Sequence, residues 1–236
     1  MERESGGCDM TIELVVARYQ EDLSWLRRVP REIRVTVYDK SGAGAPGSIP
    51  LPNHGREAHT YLYHIAFRYR ALAELTIFAQ GKPFDHAPDM HKRLRAIAEG
   101  RERVDDFRWF GFLVDEDDAT GSRLFQRWSK NPDGRPLDMA GFWRSVFGDA
   151  PMPDRFVFFG GAQFAVRREV IWGRPLAFYA RALHVAATFP DAAHCFERTW
   201  DRVFGLNGIP ESLRGAALPI HLKPVRRLMS CVESRG

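Results

Sequence analysis

Several groups of side chains in this 236-residue chain have the types and spacing to do chemistry. His194, Glu197 and Asp201 lie three and four residues apart, which aligns them along one edge of a helix. A carboxylate held there, Glu197 first, can take a proton from a hydroxyl, or it can pair with Arg198 on a solvated surface. Asp85 with His86, and the run Asp115-Glu116-Asp117-Asp118, carry donors that suit a hard divalent cation. The competing assignments are a turn-capping role for Asp85 and a solvated acidic loop for residues 115–118. Arg18, Asp22 and Arg56 can hold phosphate and ribose, since Arg offers two parallel donors and Asp accepts. Asp22 is equally a helix N-cap, and Arg56 with Glu57 equally a surface pair. Gly160-Gly161 permits close backbone approach or marks a bulge, and Gln163 can serve a ligand hydroxyl or buried backbone. His221 is either a late cation ligand or an exposed histidine, while His59 and His64 read as packing or surface residues.

These side chains need a frame, and the apolar pattern supplies one. Residues 11–17 (TIELVVA) form a buried strand that ends in the polar set from Arg18 to Asp22. A short helix around Trp25 stops at Pro30, and residues 33–38 alternate as a second strand. Residues 40–55, rich in Gly, Pro, Ser and Asn, form a loop before a helix carried by Ala58, Leu62, Ile65, Ala66 and Tyr69. A third strand over 75–79 ends at Gln80-Gly81, and a helix is expected over 88–99. Further strands are expected over 109–114, then over 156–159 and 163–166, the last two interrupted by Gly160-Gly161. Helices are expected over 137–147, 176–188 and 192–204. Strand–helix–strand order predicts an α/β fold with a mainly parallel central sheet flanked by helices. In such sheets ligands bind beyond the carboxyl ends of the strands, where Arg18, Asp22 and Asp85 fall.

Length predicts one domain over 1–236, with its core over 11–205 and a C-terminal tail over 206–236. The start is charged rather than signal-like and no apolar run is long enough to cross a bilayer, so a cytoplasmic protein is expected. Cys8, Cys195 and Cys231 form no paired motif and read as free thiols. The net charge of +4 comes from 29 arginines and five lysines, scattered rather than clustered, against 30 acids. Without a basic stripe or a recognised module, nucleic-acid binding is not expected. A hydrolase is disfavoured by the lack of a GxSxG elbow.

A set of blocks carries a resemblance: ELVVARY with EDLSWL over 13–26, Asn53, GREAHTYL over 55–62, Gln80-Gly81 and Pro83-Phe84-Asp85-His86. Further blocks are GAQFAV over 161–166, Arg174-Pro175, Phe178-Tyr179, and Phe196-Glu197-Arg198 with Trp200. Together they resemble the family known as domain of unknown function 3431, over about residues 12–205. The chain departs from that pattern at Gln20, where Asn is usual, and at His54, where a small apolar residue is usual. The block order in turn looks like that of GT-A glycosyltransferases, Rossmann-like folds that use nucleoside-diphosphate sugars. That likeness implies a glycosyltransferase moving a sugar from such a donor to a carbohydrate-like acceptor. It implies donor contacts from Arg18, Asp22, Asn53, Arg56, Gln80 and His86, and acceptor contacts from Gly160, Gly161 and Gln163. Glu197 becomes the base and Asp85 the group near the diphosphate, with Mn2+ or Mg2+ as cofactor held by Asp85 or His221. The paired-aspartate motif usual in those enzymes is absent, which keeps open a non-catalytic protein of the same fold that binds a sugar or nucleotide.

Overall fold

Leu14, Val15 and Val16 are fully buried on consecutive positions, so both faces of their strand are covered, as in the centre of a parallel sheet. The computed structural model describes residues 10–128, 133–213 and 215–223; Cys8, Cys231 and the end of the C-terminal tail lie outside them. In chain order the elements are β1 (Ile12–Arg18), a 3-10 turn (Ser24–Arg28), β2 (Ile33–Asp39), β3 (Ile49–Pro50), α1 (Arg56–Arg68), β4 (Leu75–Gln80), α2 (Met90–Ala98), β5 (Phe107–Trp109) and β6 (Leu113–Asp118). They continue with α3 (Met139–Phe147), β7 (Arg155–Phe159), β8 (Phe164–Arg167), α4 (Arg168–Trp172), α5 (Leu176–Thr188), α6 (Ala192–Glu197), α7 (Trp200–Val203) and β9 (Ile220–His221).

The fold is α/β. Its main sheet has the order β3-β2-β1-β4-β8-β5, parallel from β3 to β4, with β8 antiparallel to both neighbours. Alternation decides which side each residue serves. Val15, Phe78 and Phe164 join Tyr61 of α1 and Trp200 of α7 in an aromatic-rich core. Leu14, Val16, Ile77 and Ala79 face Trp25 and the Met90, Leu94 and Ile97 side of α2. Among the described residues no helix is long and apolar enough to cross a membrane. Buried Glu13 is the polar exception in β1; it accepts from Arg34 and from Thr36 at 2.6 Å, which satisfies it inside the sheet.

Four expectations from the sequence are corrected. Residues 109–114 are not one strand: Phe110 donates to Gln163 at 2.7 Å and Phe112 to the carbonyl of His86 at 3.1 Å, so the chain leaves the main sheet at Trp109 and enters a second one at Leu113. That sheet, β7-β6-β9, contains the acidic run inside β6 rather than in a solvated loop. The carboxylates are tolerated there because each is compensated. Asp117 pairs with Arg198 at 2.8 Å, Asp115 and Glu116 with Arg123 at 3.5 Å, and Asp118 accepts from Thr120 and Ser122. Likewise Gly160-Gly161 does not interrupt a strand but carries the chain from the small sheet to the large one. Residues 192–204 are two helices with a break at Arg198-Thr199.

The Asp117–Arg198 pair is essentially excluded from water, at 0% and 2% side-chain exposure. Removing one partner of a buried pair strands the other charge at a cost of about 3–5 kcal/mol. Asp117→Ala should therefore lose roughly that much stability in urea unfolding. Asp85→Ala, which breaks the open pair with Lys82 at 3.1 Å, should lose only about 0–1 kcal/mol.

Candidate functional site

The strand order makes the site. After β1 the chain steps outward to β2 and β3, then returns through α1 to place β4 on the other side of β1. Neighbouring loops therefore diverge beyond the carboxyl ends of β1 and β4 and leave a crevice. A cleft of about 680 Å3 opens there, with Arg18, Tyr19, Lys40, Asn53, Arg56, Glu57, Gln80, Lys82 and Asp85 in its wall.

The cationic side of this wall is built by the strand ends. Arg18 closes β1 and donates to Asp39 at 2.7 Å, to Ser41 at 3.3 Å and through Nε to the carbonyl of Glu21 at 3.1 Å. It therefore knits the loops after β1 and β2 as well as facing the cleft. Burial works against ionisation of Asp39, yet the Ser41 and Ala45 N–H groups and the Arg18 charge hold its pKa below the ordinary value. Lys40, next along, is buried and donates to the carbonyls of His54 and Arg56, fixing the loop that begins α1. Burial lowers its pKa to about 8, with Glu57 opposing.

The start of α1 is pressed against α5. Gly55 has φ +53°, and a Cβ there would collide with the carbonyl oxygen of Ala186, so only glycine fits. Arg56 follows, also left-handed at φ +47°, with its side chain exposed at the cleft. Glu57 is half-buried, and its carboxyl lies within the field of the Glu197 carboxylate on α6, which packs beside α1. Burial pushes the pKa of Glu57 up to about 7; the Glu197 charge adds to this, and Arg56 and Lys40 oppose it. Glu197 is anchored from the other side, where its Oε1 accepts from Gly161 N at 2.6 Å. His194, beside it, is driven towards the neutral form by burial, with Glu197 opposing.

The expected site residues thus separate. Arg18, Asn53, Arg56, Gln80 and Asp85 line the cleft. Asp85 is largely exposed and paired with Lys82. Asp22 accepts from the Ser24 N–H at 2.9 Å and hydroxyl at 2.5 Å, a local turn one residue before the N-cap position, which is Leu23, and borders an adjoining depression with Arg27 and Ser24. His86 packs beneath Gly161, whose φ of +95° and missing Cβ make room for the imidazole, so the glycine's open face is taken by this ring. Gly160 donates to the carbonyl of Leu113 at 3.1 Å. Gln163 is fully buried and donates to the carbonyl of Pro83 at 2.9 Å, tying β8 to the turn that carries Asp85. Asp201 is buried beyond the helix break and accepts from Gly208 N at 3.0 Å, away from Glu197's edge. His221 lies on β9, packed on Phe112 at 5.9 Å. Among the described residues no three His, Cys, Asp or Glu side chains converge on a point that would hold a cation. The residues missed were Lys40, Glu57 and Lys82. The rule that singled out Arg18 reaches two of them, since Lys40 and Lys82 also follow strand ends directly.

Comparison with known proteins adds a family. No curated protein gives a significant match. Among solved structures, the chain is similar to CMP:2-keto-3-deoxy-manno-octonic acid synthetase complexed with CTP, at 12% identity over 73% of this chain and 82% of that one, with a TM-score of 0.32. At that score the likeness bears on neither ligand nor reaction. The family described as protein of unknown function, DUF3431, matches residues 14–212. The same span holds both strand ends, the start of α1 and Glu197, and the chain belongs to the DUF3431 family.

Proposed function

We propose that the cleft binds a nucleoside-diphosphate sugar and that the protein transfers the sugar to a hydroxyl of a carbohydrate-like acceptor. The observation that carries this reading is the gathering of Arg18, Arg56 and Lys82 around a crevice at the reversal of strand order, with the buried Lys40 holding the loop that presents Arg56. A departing diphosphate needs its charge neutralised, and guanidinium and ammonium groups do this through charge-assisted hydrogen bonds. The block order shared with GT-A enzymes points the same way. Asn53 and Gln80 supply uncharged donors and acceptors for ribose or base at the same wall. Mn2+ or Mg2+ belongs to the reading only if the donor's own phosphates complete the coordination beside Asp85, because the protein side chains do not converge into a ligand set. The acceptor's proton would go to a carboxyl at this end of the site, either Glu57 in the cleft wall or Glu197 behind it.

A second reading, binding without transfer, is favoured by that same lack of a converging carboxylate set. Donor hydrolysis separates the two, because a binding protein protects the donor and a transferase slowly releases its sugar to water.

Calorimetry with uridine, guanosine and cytidine diphosphates tests the site. Arg56→Ala and Lys82→Ala should each weaken the preferred nucleotide about tenfold or more, since a hydrogen bond to a charged group contributes roughly 1.5–3 kcal/mol. Arg103→Ala, at an exposed pair with Asp105, should leave affinity unchanged. Equal affinity in all three variants would remove the nucleotide from this cleft.

A further inference from the structure

We propose that Glu57 is the catalytic residue that exchanges a proton with the substrate, and that Glu197, anchored behind it on Gly161, is a positioning residue. The inference rests on the transfer reading above and changes the assignment within it. The geometry favours it in three ways. First, Glu57 lines the cleft, whereas Glu197, on α6 packed beside α1, is not part of the cleft wall. Second, Glu197 already has a short, fixed partner, because its Oε1 accepts from the Gly161 N–H at 2.6 Å and is held by the backbone turn between the sheets. Third, among the described residues no cation is ion-paired with Glu57; the ammonium of Lys40 is spent on the carbonyls of His54 and Arg56.

The charged and titratable groups that face Glu57 come from three segments. Arg56 and Tyr61 share α1 with it, Lys40 follows β2, and Glu197 projects from α6 with His194 beside it. Burial and the Glu197 charge outweigh the two cations, so Glu57 holds its proton up to about pH 7. A base poised near the working pH is the most effective kind, because it is available ionised yet still attracts a proton strongly. In the step, the acceptor oxygen bonds to the anomeric carbon as the bond from that carbon to the diphosphate oxygen breaks. The electron pair leaves with the diphosphate. The acceptor's proton passes to Glu57, which later returns it to water.

Two readouts test this, one independent of turnover. Carbon-13 spectra of protein labelled at glutamate carboxyls, recorded between about pH 4 and 9, should show one carboxyl titrating near neutrality. That signal should vanish in Glu57→Gln. In Glu197→Gln it should move to lower pH, because the like charge is gone while the amide oxygen still accepts from Gly161. The sign for stability follows: the folded protein binds this proton more tightly than the unfolded chain, so wild type should lose stability relative to Glu57→Gln as pH rises from the ordinary glutamate range towards about 7. Donor hydrolysis should fall about 10²- to 10⁴-fold in Glu57→Gln, with nucleotide affinity kept. In Glu197→Gln the pH profile should shift to lower pH. A Glu57 carboxyl titrating in the ordinary range, or one unmoved by Glu197→Gln, overturns the proposal even if nucleotides bind. Undiminished hydrolysis in Glu57→Gln also overturns it, whereas loss of nucleotide binding in the cleft-wall variants speaks only to the transfer reading.

Discussion

The buried ion pair between Asp117 and Arg198 is the constraint on which the surrounding arrangement depends. It joins the middle strand of the small sheet to the break between α6 and α7, at 2.8 Å and with neither side chain open to water. Arg198 also donates to the carbonyl of His194 at 2.9 Å and lies 4.7 Å from the centre of the Phe158 ring. One guanidinium therefore satisfies a strand carboxylate, closes a helix end and covers an aromatic face. Exchanging such a pair for apolar residues can be neutral in stability, so what it contributes is definition: few other arrangements satisfy both charges. With residue 198 fixed inward, its neighbour Glu197 is turned towards Gly161, and the turn from the small sheet into the large one receives its hydrogen bond.

From there the effects run into the cleft. Gly161 donates to Glu197 while its backbone lies over His86, and the carbonyl of His86 in turn accepts from Phe112 where the chain passes between sheets. Gln163 ties the same turn to Pro83, two residues before Asp85. On the opposite wall, Arg18 and Asp39 lock the ends of β1 and β2, and Lys40 holds the loop entering α1. The cleft is thus bounded by backbone segments cross-linked by buried or half-buried side chains. A wall of that kind presents its charges without having to reorganise when a ligand arrives.

Much of this frame is written in local sequence. Near-continuous apolar runs in 12–18 and 75–80, alternation in 33–39 and a helical stripe in 56–68 give the parallel sheet and its first covering helix. The polar residues that follow each strand must then sit at the carboxyl edge, which places Arg18, Arg56, Gln80 and Asp85 at the cleft. Where the sequence misleads, two local rules compete. The acidic run reads as a solvated loop because four adjacent carboxylates repel one another, yet Arg123, Arg155 and Arg198 make it a strand. The helix over 192–204 reads as continuous because its apolar spacing is regular, but an inward Arg198 interrupts it.

The sequence by itself determined the α/β class, the order of the strands along the chain and the polar character of their ends, because periods of two and 3.6 depend only on residues a few positions apart. Tertiary structure alone decided which carboxyls interact. Glu57 reads as half of a surface pair with Arg56, and Glu197 as the edge of a long helix. Only packing of α1 beside α6 brings their charges within reach of each other and strips water from one of them. The physical reason is that a carboxyl's charge state answers to the solvent it has lost and to the charges around it, and both are set by segments remote in sequence.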